Sequence, residues 1–210
     1  MLAEPLVKRA TAFFDGQNLF HAAREAFGYS YPNFDPLALA LAVSQQKGWN
    51  LTTVRFYTGV PDPRESPFWN HFWAAKLAQM GRDGIRPSSR PLRYRSEVKT
   101  LSDGSQQTVS IGYEKGIDVR LALDVVRGTL EGTLDVALIF SQDQDLAELS
   151  DEVRSIAQSH GRWIKIASAY PQSATSRNRR GIDRTDWIPI DRGAYDACLD
   201  PRDYRPRPGS

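Results

Sequence analysis

Three aspartates, Asp15, Asp118 and Asp143, have the types and positions to gather around one cation. Asp15 and Gly16 close the apolar run 10–14, and Asp143 follows the run 134–140 after Ser141 and Gln142. Asp118 opens an amphipathic stretch directly after Lys115, Gly116 and Ile117. Converging carboxylates repel one another unless a hard cation sits among their oxygens, and Mg²⁺ or Mn²⁺ suits such ligands where zinc would recruit His or Cys. An ion held that way activates water and neutralises charge on a phosphate oxygen, so the chemistry to expect is phosphodiester hydrolysis. Each acid taken alone also reads as ordinary structure. An aspartate at a helix start is an N-cap, which suits Asp118 and Asp145, and one at a strand end is a turn residue, which suits Asp15 and Asp143. Asn18, one helical turn past Asp15, is placed either to orient a carboxylate or to cap. Asp124 lies six residues after Asp118 and therefore points to another side of the same helix.

The elements that must position these acids are legible as periodicities. Residues 10–14, 51–57, 134–140 and 163–168 are short runs rich in β-branched and aromatic residues and read as strands. The run 134–140 is apolar nearly throughout instead of alternating, as a strand covered by helices on both faces must be. Ser66-Pro67 and Asp35-Pro36 each read as an N-cap followed by proline at the first helical position. Residues 116–130 and 145–159 carry apolar residues at helical spacing on one face. Strand and helix alternate, which predicts a doubly wound α/β fold around a mainly parallel sheet, with Asp15 and Asp143 both at strand C-terminal ends, where such sheets bind ligands. Residues 92–113 break the alternation and read as a β-hairpin arm, turning at Ser102-Asp103-Gly104-Ser105. From 171 onward the chain is rich in Arg, Pro, Asp and Ser, which predicts a C-terminal extension (171–210) that is partly disordered, wholly so beyond Pro201, after a main domain at 1–170.

Composition excludes several classes. With 210 residues the chain has one sizeable core, and Cys198, its only cysteine, leaves neither an internal disulfide nor a multi-cysteine zinc site. His21, His71 and His160 are too far apart in sequence to read as a ligand pair. Charged residues near Met1 interrupt any signal-peptide core and no apolar run approaches the roughly 20 residues of a membrane span, so the expected compartment is the cytoplasm, without membrane contact. There is no glycine-rich loop ending in Lys-Ser/Thr and no Gly-x-Gly-x-x-Gly, which argues against nucleotide-cofactor enzymes. A net charge of +2 decides nothing about nucleic acid; local clusters must.

Phe14-Asp15-Gly16-Gln17-Asn18-Leu19, Lys115-Gly116-Ile117-Asp118-Val119 and Ser141-Gln142-Asp143-Gln144-Asp145-Leu146 together resemble, in order and spacing, the three signature motifs of the NYN domain, a branch of the PIN-like nucleases, and within it the LabA-like bacterial group. The resemblance covers about 10–169. It implies a three-layer PIN-like (Rossmann-like) domain, a Mg²⁺ or Mn²⁺ site, and endoribonuclease activity, with RNA, single-stranded by preference, as partner. Carried over position by position, Asp15, Asp118 and Asp143 match the metal-binding acids, and Asn18 and Asp145 match the polar residues beside them. Gln142 departs from the small residue the family places between Ser and Asp, which bears on the geometry of that loop. A non-catalytic RNA-binding regulator that keeps the fold is the alternative. Toprim-like and haloacid dehalogenase-type sites fit poorly, since the first strand ends in Asp15 where the former usually has Glu, and Gln17 stands where the latter needs a second Asp.

For a substrate, alternation along the arm puts Arg93, Arg95 and Lys99 on one strand face, a basic stripe that reads either as a phosphate contact or as a solvated edge kept from aggregating. Lys115 and Ser141, inside the motifs, are further candidates for substrate contact. Arg177, Arg179, Arg180 and Arg184 read as solvated tail. Trp69 and Trp73, with Phe68 and Phe72, read as core or as a homodimer contact in preference to a base-stacking surface.

Overall fold

The computed structural model describes residues 3–100 and 103–206. Six parallel strands form one sheet in the order β3-β2-β1-β6-β7-β8: β1 (Arg9–Asp15), β2 (Asn50–Val60), β3 (Arg86–Pro91), β6 (Val136–Phe140), β7 (Lys165–Pro171) and β8 (Asp186–Ile190). β4 (Arg93–Thr100) and β5 (Gln106–Tyr113) pair antiparallel as a separate hairpin, the predicted arm. Of its turn, Ser102 lies outside the described residues, while Asp103 accepts bonds from the Ser105 N–H (2.9 Å) and hydroxyl (2.6 Å).

β1 shows why the sheet is buried on both faces. Ala12 and Phe14 pack into one core with Leu19, Phe34, Phe56, Phe72, Trp73 and Phe140, under helices α1 (Gly16–Phe27), α2 (Pro36–Gln46) and α3 (Pro67–Arg82). Phe13, between them, faces the other core with Tyr57, Leu121, Val125, Ile139, Leu149 and Val153, under α4 (Ile117–Leu130) and α5 (Ala147–Ser159). The result is the three-layer PIN-like α/β fold. Every residue of β6 is buried, as its unbroken apolar run requires. Trp73 is buried and Trp69 packs against the same core, so this stripe is largely interior.

Several local expectations are corrected. Asp35 does cap α2, accepting from the Leu37 and Ala38 N–H groups at 2.8 and 3.2 Å. Ser66 occupies the cap position of α3, but its hydroxyl makes no cap bond, leaving Pro67 as the start signal. β3 was not predicted: its sequence, Arg-Pro-Ser-Ser-Arg-Pro, has little β propensity, and it survives because an edge strand tolerates proline on its unpaired side. Beyond 171 the chain is built into the domain. β8 forms the other sheet edge, a short helix α6 (Arg192–Asp196) follows, and Tyr195 and Cys198 are buried. Disorder beyond Pro201 was also expected, yet Arg202 ion-pairs with Asp83 at 2.8 Å and the Tyr204 hydroxyl donates to Asp200 at 2.8 Å; residues 207–210 lie outside the described residues.

Strand order reverses between β1 and β6, with β2 and β3 built outward on one side and β7 and β8 on the other. The crevice at the C-terminal ends of these two central strands is where an open parallel sheet receives a ligand.

Candidate active site

Asp15 ends β1 and begins α1. Its Oδ1 accepts the Asn18 N–H at 3.1 Å and caps the helix, while Oδ2 accepts the Ser141 hydroxyl at 3.2 Å. The tight entry depends on the next residue: a Cβ on Gly16 would stand 2.6 Å from the Phe56 ring and 2.9 Å from the Tyr57 carbonyl oxygen. Asp15 is only 7% exposed. Burial pushes its carboxyl up to about 6; the Asn18 and Ser141 bonds pull the other way, and the fields of Asp143 and Asp118 add to the rise.

Asp143 arrives from the end of β6 and starts a single 3-10 turn (Gln144–Leu146), with Oδ1 accepting the Asp145 N–H at 3.0 Å. Ser141 joins the two strand ends, because its hydroxyl donates to Asp15 and accepts the Asp143 N–H at 3.1 Å. Asn18 is a second tie, its Oδ1 accepting the Gln142 N–H at 2.8 Å. Asp118, in the first turn of α4, is half-buried and contributes to the field on Asp15.

A fourth acid belongs here that sequence reasoning missed. Glu114 lies between β5 and α4, half-buried, and accepts the backbone N–H of Gly59 at the end of β2. Burial pushes its carboxyl up to about 7, opposed by the Gly59 bond and reinforced by Asp15 and Asp118. The only sequence signal was its position, just ahead of Lys115-Gly116. Asp15 thus lies in the fields of Asp143 and Asp118, and Glu114 in those of Asp15 and Asp118.

The other predicted residues divide. Ser141 is buried at the junction just described. Asp145 is exposed and supplies only its N–H to Asp143. Lys115 is exposed, as are Arg93, Arg95 and Lys99 on the arm, where Arg95 pairs with Glu97 at 2.7 Å and lies over the Tyr113 ring. Asp124 faces away from the cluster: Arg55 Nη1 lies 2.9 Å from its Oδ2, the Tyr57 hydroxyl donates to the same oxygen at 2.9 Å, and Arg120 Nη2 lies 3.0 Å from Oδ1. Gln142 is accommodated as a buried side chain whose amide donates to the Arg180 carbonyl at 2.7 Å. With Gln144, which donates to the Gly181 carbonyl at 3.0 Å, it ties the motif loop to the arginine-rich segment. Those arginines serve local structure, Arg180 pairing with Asp183 at 2.8 Å and Arg184 with Asp151.

Among the described residues no three acidic, histidine or cysteine side chains stand close enough to grip a bare metal ion. The donors still suit a hydrated one. All are carboxylate oxygens, and Mg²⁺ keeps several waters while taking only one or two carboxylates directly.

A parallel sheet covered by helices on both faces, with Asp15 and Asp143 ending its two central strands, is the three-layer architecture of the PIN-like nucleases. The chain belongs to the NYN domain family, whose pattern matches residues 9–185, and that family is one of nucleases. The match is to the family and not to a branch of it. No curated protein matches the chain. Among solved structures it is similar to a protein of unknown function from Vibrio parahaemolyticus, with 17% identity, a TM-score of 0.51, and coverage of 94% of this chain and 99% of that one. A deacetylase of teicoplanin biosynthesis, solved as its teicoplanin complex, is similar at 15% identity and a TM-score of 0.33 over 75% of this chain and 68% of that one, too weak to bear on the fold. No helix among the described residues is long and apolar enough to cross a membrane.

Proposed function

We propose that the protein is a metal-dependent endoribonuclease that hydrolyses RNA at the crevice between β1 and β6. The observation that supports this reading is the placement of Asp15 and Asp143 at the adjoining ends of β1 and β6, tied together through the Ser141 hydroxyl, with Asp118 close enough for its field to act on Asp15. Asp15, Asp118 and Asp143 would hold Mg²⁺ or Mn²⁺, with Glu114 as a fourth oxygen donor. The ion, when bound, lowers the pKa of a water and offsets charge on the scissile phosphate. The chain's part is positioning. Ser141 fixes the relative orientation of Asp15 and Asp143, Asn18 fixes the loop that carries Asp143, and the Gly59 N–H fixes Glu114. Preorganised charge of this kind needs no reorientation as the reaction proceeds. The choice of RNA over DNA follows the family, as do single strands over duplex.

The test is incubation of the purified protein with labelled single-stranded RNA and Mn²⁺. Cutting that EDTA stops, and that Asp143→Asn lowers by about 10²-fold or more, the usual scale for losing one preorganised charge-stabilising group, is the expected result. Undiminished cutting by Asp143→Asn would place the activity elsewhere, and binding without cutting would favour the regulator that keeps only the fold.

A further inference from the structure

On the α4 side of the sheet, the helix packs against β1 and β2 while β3 forms the edge, and arginines collect between that edge and the helix. Arg55 and Arg86 are register partners on β2 and β3, so their side chains leave the sheet on the same face. With Arg127 of α4 they line a cavity of about 200 Å³, together with Thr11, Thr53 and Asp124. Arg120 reaches the rim of this cavity through Asp124. Four residues along β3 from Arg86, on the same face, Arg90 lies against Gly116 at the start of α4: a Cβ there would stand 2.8 Å from its Nη1. Arg90 is also the register partner of Gly59, whose N–H holds Glu114. The arginines therefore form a line, from Arg127 near the end of α4 to the acid cluster at its beginning. At 1.5 Å per residue along the helix the line is about 16 Å long.

Its charge is largely unspent. Arg55 and Arg120 are committed to buried Asp124, but among the described residues Arg86, Arg90 and Arg127 pair with no carboxylate, and Glu131 is the one other acid lining the cavity. The cavity lining itself sets three guanidiniums against two carboxylates, a net +1, and Arg90 adds another unpaired guanidinium toward Gly116. Protection of the β3 edge from aggregation would need exposed charge and its two prolines, not arginines from three elements meeting in one cavity.

We propose that this trough between β3 and α4 is the track for the nucleic-acid backbone, delivering a phosphate to the acid cluster at its upper end. The proposal rests on the nuclease reading and names where that enzyme holds its substrate. It transfers the phosphate-binding role from the arm, whose Arg95 is already paired with Glu97, to residues that no single periodicity reveals. Guanidiniums suit the task because they present several donors in a fixed plane to phosphate oxygens. Such contacts are indifferent to sequence and to sugar, so RNA and single-stranded DNA are expected to bind the track alike.

The test is fluorescence anisotropy with labelled oligouridylate and oligothymidylate in EDTA, so that binding is read without cutting, across a series of monovalent salt concentrations. Arg86→Gln with Arg127→Gln removes two phosphate contacts while leaving the Asp124 pairs intact. The slope of log K against log salt is expected to flatten by about 1.4, at about 0.7 per contact for single strands, which is about 25-fold weaker binding near 0.1 M salt. Arg95→Gln with Lys99→Gln on the arm should change affinity by less than about twofold. Thermal unfolding checks that both double variants remain folded. A trough variant with unchanged slope, or an arm variant that carries the loss instead, overturns the track and leaves the nuclease reading standing. Wild-type protein that binds with the expected slope yet cuts nothing with Mn²⁺ supports the track and overturns the nuclease.

Discussion

Replacing Asp15 by asparagine should make the metal-free protein more stable at alkaline pH, and the reason lies in the cost of ionising a buried acid. Burial lifts the Asp15 carboxyl from 3.8 to about 6, a rise of about 2 units, or about 3 kcal/mol at 1.36 kcal/mol per unit. Because the side chain is 7% exposed, solvent screening does little to reduce this figure. The folded protein holds this proton more tightly than the unfolded chain does, so the stabilising contribution is complete below pH 3.8 and is lost as pH rises through about 6. At pH 8, without metal, the wild type therefore carries about 3 kcal/mol of strain that Asp15→Asn does not. The amide keeps an oxygen for the Asn18 N–H, so the helix cap survives. Urea unfolding in EDTA at pH 5 and pH 8 reads the effect. The variant should exceed the wild type by about 2–3 kcal/mol at pH 8, worth roughly 4–12 °C in Tm for a chain of this size, and by about half as much at pH 5. Added Mn²⁺ should reverse the order, since an ion at 1,000 times its Kd contributes about 4.1 kcal/mol and only the wild type presents the full carboxylate set. A variant no more stable than the wild type at pH 8 would mean that the Asp15 charge is already compensated, and the case for a cation would lose its physical basis.

Gly16→Ala should destabilise the fold by about 1–3 kcal/mol, because the new methyl meets the Phe56 ring and the Tyr57 carbonyl with no room to move; thermal denaturation measures this, and an unchanged Tm would show that the β1–α1 entry is looser than described. Asp124→Ala strips Arg55, Arg120 and Tyr57 of their common partner and should cost about 3–5 kcal/mol in denaturant unfolding, while the stabilisation gained on adding Mn²⁺ stays as in the wild type. Loss of that Mn²⁺ response would bring Asp124 into the metal site and refute its assignment to structure alone.

What the sequence discloses depends on whether one local rule determines each feature. β6 was legible because burial on both faces demands an unbroken apolar run, and Asp143 was legible because it follows that run. β3 was not, since an edge strand is defined by the neighbour it joins: Pro87 sits opposite Phe56 only because β2 offers a free side. Glu114 was hidden for a related reason. A glutamate before Lys-Gly is unremarkable in a polar connection, and only the approach of Gly59, far away in sequence, buries it. The arginine trough draws on β2, β3 and α4, so no periodicity marks it, whereas alternation on the arm marked Arg93, Arg95 and Lys99 plainly. The tail misled because its composition is that of a solvated segment, while the contacts that hold it, such as Gln142 to the Arg180 carbonyl and buried Lys76 to Asp200 at 3.3 Å, cross the fold.

Helix capping and metal binding are compatible tasks for one aspartate. Asp15 and Asp143 each give Oδ1 to a backbone N–H of the turn that follows, which costs neither the second oxygen nor the negative charge. The cap fixes the carboxylate's direction, and a carboxylate with a fixed direction is what a hydrated ion needs if its waters are to be aimed. Ser141 couples the two caps across the strand-order reversal, so an ion held there would be bound by local helix geometry and sheet topology together. The same economy explains why the site sits at this crevice: only at β1 and β6 do neighbouring strands end side by side with their following turns diverging to opposite layers, leaving two capped acids facing one space.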